Sequence, residues 1–254
     1  MAEDRMFLTL THLTEPARHR EYNAWHQLDH LPENLLLDGV VWGNRWVRTP
    51  ECAAVSTVNL GALDDTQYAV MYSFRSPFDA SVERWTDLNR RALWWGRRPE
   101  LAWTSRNPTG FFDSVKGYAA PRTLVSPDAI PLRPHRGVHL TISRLAAPET
   151  ASAVATMQAY DRELISMALT LTGVAGARTY RFSAAAGGFG KGEVGEDAGL
   201  LVRILFLDDD PCAVTSRLHS AIPHWSQGSI GEEDILLSSP FKSIRPWEWD
   251  WFDN

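Results

Sequence analysis

At 254 residues the chain is long enough for one large domain or two small ones, at roughly 150 residues per domain. A hydrophobic content of 44% supports a packed core, and 25 Lys+Arg against 31 Asp+Glu give a net charge of −6, which argues against nucleic acid as a partner. No apolar run approaches the roughly 20 residues that cross a bilayer, and Met1-Ala2-Glu3-Asp4-Arg5 is unlike a signal peptide, so the expectation is a soluble, cytoplasmic protein with no membrane partner. Cys52 and Cys212 lie far apart in sequence, without neighbours at metal-ligand spacing, and predict neither a disulfide framework nor a zinc site. The 11 Trp, 10 Phe and 6 Tyr are a surplus that suits a pocket for a small aromatic molecule or, equally, dense core packing.

Along the chain, Met6–Leu13 alternates with a period of two and predicts a strand. Thr14-Glu15-Pro16 opens a helix on which Tyr22, Trp25, His26, Asp29 and His30 recur at spacings of three and four. Pro32 is expected to end or bend that helix, because it lacks an N–H and its ring clashes one turn back. A short continuation runs from Pro32 to Leu37 before Asp38-Gly39 stops it. Strands over Val40–Thr49 and Gln67–Phe74 follow, then a helix over Ala80–Leu93, a loop rich in Trp and Arg, and a strand over Phe111–Tyr118. The order is β-α-β-β-α-β.

Pro121, Pro127, Pro131 and Pro134 mark residues 121–136 as a linker, and beyond it the order recurs. Leu140–Leu145 lies opposite Leu8–Leu13, and Val174–Arg181 lies opposite Val41–Arg48 with Val, Gly, Arg and Arg shared. A helix over Pro148–Leu171, a strand over Leu200–Leu207, a helix from Asp210-Pro211 and a strand near Phe241–Arg245 complete the second copy. The reading is an α+β chain of two tandem units, 1–120 and 137–254, joined by 121–136. Each unit is a four-stranded antiparallel sheet with helices on one face. Packing the two bare faces together predicts an intramolecular α+β barrel.

The segment Tyr22-Asn23-Ala24-Trp25-His26-Gln27-Leu28-Asp29-His30-Leu31-Pro32-Glu33, with Leu37-Asp38-Gly39-Val40 after it, resembles the first helix of the dimeric α+β barrel superfamily, built from ferredoxin-like units. The match is closest to its EthD-like and stress-responsive branch and rests on Trp25, Asp29, His30, Leu31, Pro32 and Gly39. The resemblance implies a ligand held between the sheet and the helices of one unit, and identifies His30 with the family's recurrent histidine. An imidazole with an ordinary pKa near ~6.5 suits proton transfer at neutral pH. The superfamily includes cofactor-free isomerases, cyclases, lyases and monooxygenases, and haem enzymes such as chlorite dismutases. The second unit places Glu163 or Leu164 opposite His30 and Ala159 or Tyr160 opposite His26, so only the first unit keeps the histidine. The leading expectation is a cofactor-independent lyase, isomerase or cyclase in which His30 moves a proton on a hydrophobic aromatic substrate. Cofactor-free oxygenation of a phenol and non-catalytic binding of an aromatic ligand are the alternatives. A homodimer is left open.

Other residues extend this site. Leu8 and Leu10 are expected to face the helices, which would send His12, on the same side of the strand, toward the cavity of His30 as a second catalytic group; a structural histidine is the alternative. His26 and His30 share a helix face at i, i+4. No third ligand is placed by the sequence, so no metal is expected, and His26 is counted as substrate-binding. Tyr68 and Tyr72 share one strand face, Tyr72 assisting catalysis and Tyr68 contacting substrate. Trp94, Trp95 and Arg97, with Arg98, suggest a lid offering indoles to a ring and guanidiniums to an anion, or a plug at one barrel end. Trp247, Trp249 and Trp251 are expected to pack along an apolar groove. Gly187–Gly192 lacks the strand-before, helix-after setting of a phosphate loop. Haem would call on His219 or His224, and neither lies in a matching pattern.

Overall fold

In the computed structural model, which describes residues 5–185, 199–226 and 229–253, the alternation along the first strand organises the molecule. β1 (Arg5–Leu13) leads into α1 (His19–Trp25), a π-helical turn (His26–His30) and α2 (Leu31–Leu35). β2 (Val40–Val47), α3 (Pro50–Ala54), β3 (Thr57–Val58), β4 (Tyr68–Phe74), α4 (Phe78–Trp94) and β5 (Thr104–Ala119) complete the first half. The second half runs β6 (Gly137–Leu145), α5 (Ala151–Ala159), a second π-helical turn (Tyr160–Ile165), α6 (Ser166–Ala168), β7 (Val174–Ala185), β8 (Leu200–Leu207), α7 (Pro211–Ala221), β9 (Ser229–Ile230) and β10 (Glu233–Ser243). The protein is α+β, with one large antiparallel sheet, and no helix among the described residues is long and apolar enough to cross a membrane.

The strands follow the order β2-β4-β1-β5-β7-β8-β6-β10, and a β10–β2 pairing closes the series on itself. Two separate sheets packed face to face were expected. Instead β5 pairs with β7 and β10 with β2, so one ten-stranded sheet is continuous through both halves. Pairing satisfies edge N–H and C=O groups that two open sheets would leave exposed. In each half the strands lie in the same relative order, β2-β4-β1-β5 and β7-β8-β6-β10.

Inside the closed sheet, Met6, Leu8 and Leu10 of β1 pack with Ala69 and Met71 of β4 and with Leu140, Ile142, Val202, Ile204 and Phe206 of the second half. Phe7, Thr9 and Thr11 have the opposite parity. Their cross-strand partners Tyr72, Val70 and Tyr68 share that outer, helix-facing side. β5 starts at Thr104, well before the expected Phe111, and pairs Arg106 with Thr11. Pro108 disguises this stretch, and it sits where the β1–β5 register shifts between Thr9 and Thr11, as a proline inside a sheet tends to do.

Pro32 does not end the first helix. The chain widens into the π turn, with Leu31 N–H donating to His26 O, and continues helically to Leu35. In the second half, the helix after β6 also widens, over Tyr160–Ile165, without a proline. Residues 121–136 are not a free tether: Pro127–Leu132 forms a 3-10 turn that buries Ile130 against the barrel core. Cys52 and Cys212, distant in sequence, are free thiols with Sγ atoms 3.6 Å apart between α3 and α7. The stretch Gly187–Gly192 lies outside the described residues.

Gly39 fixes the entry to β2. Its φ is +100°, and a Cβ there would stand 2.1 Å from Ser81 Oγ on α4. Gly39→Ala therefore combines a left-handed backbone with a clash, and we expect it to lower the unfolding free energy by about 2 kcal/mol or more, measured by urea denaturation.

Candidate active site

On the outer side of the first half, the sheet and helices enclose a cavity lined by Phe7, Thr9 and Thr11 of β1, Val70 and Tyr72 of β4, Tyr22, Trp25, His26 and His30 of the first helix, Trp85 and Asn89 of α4, Arg98, and Arg106 of β5. The cavity encloses about 30 Å³ and opens to solvent at one side. Trp25, His30, Arg98 and Arg106 are half-buried and form the mouth; Phe7, Thr11, His26, Val70, Tyr72 and Trp85 are buried and form the floor. Gly43 on β2 lets the Tyr72 ring lie against the backbone, where a Cβ would come within 2.5 Å of Tyr72 Cδ1.

The two histidines are held by rings rather than by hydrogen bonds. His30 stacks on Trp25 at 4.6 Å between centroids and meets His26 edge-on at 4.7 Å, and Tyr22 stands edge-on to His26 at 5.4 Å. His26 Nδ1, Trp25 Nε1 and Thr11 Oγ1 have no hydrogen-bond partner among the described residues. Burial, then Arg98, Arg106 and Arg45, press the His30 imidazole down to about 3. Burial, then Arg45 and His30, hold His26 well below its ordinary value. Burial also raises the Tyr72 hydroxyl, so it stays protonated. Both imidazoles are neutral at pH 7, and no carboxylate of the described residues pairs with Arg98 or Arg106.

Behind the cavity lies a second buried network. Arg45 donates to Asn23 Oδ1 at 3.0 Å and to Gln27 Oε1 at 3.2 Å, with its guanidinium 5.0 Å from the centre of the Tyr22 ring. Asn23 donates to the Tyr68 hydroxyl at 2.9 Å, and His19 Nδ1 is 2.8 Å from the same oxygen. Burial lowers the pKa of His19 to about 4.

The sequence-predicted site residues therefore divide. His30, His26 and Tyr72 come together in the cavity, with His26 buried at 4% exposure. His12 does not reach the cavity: Leu8 and Leu10 point into the barrel, and His12 Nδ1 contacts Asp65 O at 2.9 Å instead. Tyr68 shares the outer face but is engaged by Asn23 and His19. Trp94 and Trp95 are 83% and 53% exposed at the end of α4 and line no part of the cavity, so they form no lid over it. Arg97 pairs outward with Asp29 and Glu33 at 2.9 and 3.1 Å, which pins the loop so that its neighbour Arg98 lines the mouth. Arg106, Trp85 and Asn89 were not anticipated. The i, i+4 spacing of Trp85 and Asn89 on α4 was the available signal. Of the C-terminal tryptophans, Trp249 is buried with Trp251 beside Tyr22 and Trp103, while Trp247 is exposed.

Haem is the prosthetic group that some members of this fold family carry, and the residues present do not fit it. A porphyrin needs far more than the roughly 300 Å³ of a small ligand pocket, and the enclosed space here is about 30 Å³. His26 lacks the hydrogen bond at Nδ1 that ordinarily orients an axial ligand. In the second half the matching space is filled. Arg203 is clamped between Glu233 and Asp161 and lies 3.7 Å from the centre of the Tyr160 ring, and Tyr118 donates to Asp161 at 3.1 Å. His139 has both ring nitrogens engaged, by Thr215 and Ser238 at 2.8 and 2.9 Å. His219 packs edge-on to it, and His224 sits in an exposed turn. No group of three or more metal-binding side chains occurs among the described residues.

No protein-family model matches the chain, and no curated protein matches its sequence. Solved structures do. A protein provisionally named as a chlorite dismutase is 14% identical, with 99% of this chain and 98% of that one covered and a TM-score of 0.50. A provisionally named monooxygenase from Fusobacterium nucleatum subsp. nucleatum is 7% identical, with coverage of 96% and 94% and a TM-score of 0.55. A dye-decolorizing protein from V. cholerae is 7% identical, with coverage of 95% and 94% and a TM-score of 0.49. The chain shares the α+β fold of the first two along nearly its whole length.

These findings correct the expectation of a cofactor-independent lyase, isomerase or cyclase. The names attached to the fold neighbours are those of oxidation–reduction proteins. Burial and the neighbouring guanidiniums lower the pKa of the His30 imidazole, which weakens it as a base at neutral pH. The same depression has a consequence for stability. Below pH ~6.5 the unfolded chain protonates its histidines while buried His26 stays neutral, so the unfolded state binds more protons and stability falls as pH falls. We expect the wild-type melting temperature to drop between pH 7 and pH 4. His26→Gln should flatten that dependence by up to about 1.4 kcal/mol per pH unit, read from urea midpoints across the range.

Proposed function

We propose that the protein is an oxidoreductase that oxidises a small, electron-rich, one-ring aromatic molecule in the cavity of the first half. The carrying observation is that the cavity joins aromatic walls (Phe7, Trp25, Tyr72 and Trp85) to two neutral imidazoles, with no carboxylate in its lining among the described residues. A benzene-sized ligand needs a cavity of roughly 150 Å³. The enclosed space is about 30 Å³, so a ring enters only by displacing the half-buried side chains at the mouth, Trp25, His30, Arg98 and Arg106. The monooxygenase among the fold neighbours supports oxygen chemistry over elimination.

For a phenol the overall change is phenol plus dioxygen to quinone plus water. One oxygen atom bonds to a ring carbon; the other leaves as water with the ring hydrogen and the hydroxyl hydrogen. The four electrons come from the ring. In this reaction the chain positions the ring against Trp25, Phe7 and Trp85, and its apolar floor keeps water from the reacting face.

We further read the chain as a tandem duplication in which the second unit lost its site. Support comes from the matching strand orders, a π turn in the first helix of each half, and Gly39 and Gly173 at φ +100° and +93°. The run Trp25, Asp29, His30, Leu31, Pro32 and Gly39 supports kinship with the EthD-like branch. Tyr160 stands in the π turn where His26 stands in the first, and with Arg203 it occupies the space that is the cavity in the first half.

The experiment is oxygen uptake in the presence of one-ring phenols, with product masses. Uptake with formation of quinone is expected, and Val70→Phe, which fills the void, should lower it at least tenfold with the fold retained. Conversion without oxygen uptake, no conversion of any phenol, or a haem absorption band in the purified protein would overturn the reading.

A further inference from the structure

We propose that this cavity binds its ligand as an oxyanion, so that phenols enter as phenolates, with Arg98 and Arg106 as the anion-binding residues. The choice of a phenol rests on the function proposed above; the anion site stands on the cavity itself. Arg98, after the Arg97 pin, and Arg106, opposite Thr11 on β5, both line the cavity, and neither has a carboxylate partner among the described residues. Arg45 adds a third guanidinium behind the floor, already engaged by Asn23 and Gln27. The remaining titratable groups facing the ligand are Tyr22, Tyr72, His26 and His30. The acids on the same helix, Asp29 and Glu33, are turned outward onto Arg97.

The uncommitted polar groups have the same bias. Trp25 Nε1 is a donor only, and His26 Nδ1 and Thr11 Oγ1 can each donate, and all three lack partners. A site with excess positive charge and free donors, no acid to balance it, and little water disfavours a neutral phenol and favours its conjugate base. The phenolic proton passes to bulk solvent on binding, since both imidazoles resist protonation. The anion is the more readily oxidised form of the ring, which joins binding to the proposed reaction.

The probe is 4-nitrophenol, whose visible absorption reports its ionisation, with nitrobenzene as the matched ligand lacking the hydroxyl. We expect the bound probe to titrate at least about one unit below the free probe, and to bind at least about tenfold more tightly than nitrobenzene at neutral pH. Arg106→Met and Arg98→Met should each move the bound value back upward, and Arg106→Lys should recover part of the shift, with circular dichroism confirming the fold. A bound probe that titrates at or above its free value, equal affinity for the two ligands, or no binding of the probe would overturn the proposal. Ionised probe bound without oxygen uptake from any phenol would leave the anion site standing and remove only the oxidation reading.

A second, independent observation concerns the thiols. The structure assigns Cys52 and Cys212 as a pair that a hydroperoxide can convert to a disulfide bonding the two halves. Their sulfurs are 3.6 Å apart, Cys212 is half-buried while Cys52 is buried, and the Lys242 ammonium lies nearby on β10, paired with Glu51. One sulfur, as its thiolate, attacks the peroxide and becomes a sulfenic acid as an alcohol (water, from hydrogen peroxide) leaves. The other sulfur then attacks the sulfenic sulfur and water departs, so two thiols and one peroxide give one disulfide. The sulfurs must close to about 2.05 Å. Treatment with hydrogen peroxide should remove both titratable thiols with loss of two hydrogens in the intact mass, raise the melting temperature, and reverse with dithiothreitol. Cys212→Ser should lose the response. Sulfinic acid as the main product, disulfide-linked dimers, or two thiols persisting would overturn it.

Discussion

Closure of the sheet is the constraint from which the site follows. Once β10 pairs with β2 and β5 with β7, the sheet has one inside and one outside, and every residue of β1 belongs to one or the other. The inside is packed with apolar side chains and takes Met6, Leu8 and Leu10. The outside faces helices that cover it incompletely, and there Phe7, Thr9 and Thr11 border a cavity. A shift of one residue in register would exchange these sets and place threonines in an aliphatic barrel. The cavity is thus a by-product of parity, sharpened by Gly43, which gives the Tyr72 ring its room.

The two halves solve the same packing problem differently. Between helices and sheet the first half leaves space, and its buried cations are imperfectly balanced. The second half fills the space with Arg203, Glu233, Asp161 and Tyr160, in which the guanidinium meets two carboxylates and a ring. A buried pair of this kind gains little net stability over apolar packing, since desolvation offsets most of the attraction. Its effect is occupancy. In the second half the buried guanidinium is met by carboxylates, whereas Arg98 and Arg106 have none among the described residues.

Much of this was legible in the sequence. Alternation located β1, the likeness of Leu140–Leu145 to Leu8–Leu13 located β6, and the helix spacing placed His26 and His30 on one face. The direction of that face relative to β1 was not legible, because Leu8 and Leu10 suit a helix-covered surface as well as a barrel interior. The misplacement of His12 follows from that ambiguity alone. The Trp94-Trp95 pair misled for a related reason: aromatic side chains signal burial on average, yet both fall on the solvent side of the last turn of α4. Arg106 was hidden because Pro108 makes its stretch read as loop, and only the bulge opposite Thr9 and Thr11 reconciles proline with a strand. The environment of the histidines is a property of three-dimensional neighbours. Nothing local to His30 reveals that Arg98 and Arg106, far along the chain, approach it.

Those neighbours change what a histidine in this position can do. An imidazole among carboxylates gains affinity for a proton, and the reverse holds beside guanidiniums in a dry pocket. With its basicity suppressed, His30 becomes a flat, polarisable wall held against Trp25, able to exchange hydrogen bonds but unwilling to take the charge. The charge in the site then resides on groups that cannot release it, because guanidiniums stay protonated throughout the accessible pH range. A cavity of this composition cannot cycle protons through its own side chains with ease, but it can hold an anion whose electrons are the reactive element. Under the oxidation proposed above, the reactive event is electron loss from a bound oxyanion, and the histidine motif would contribute shape rather than basicity.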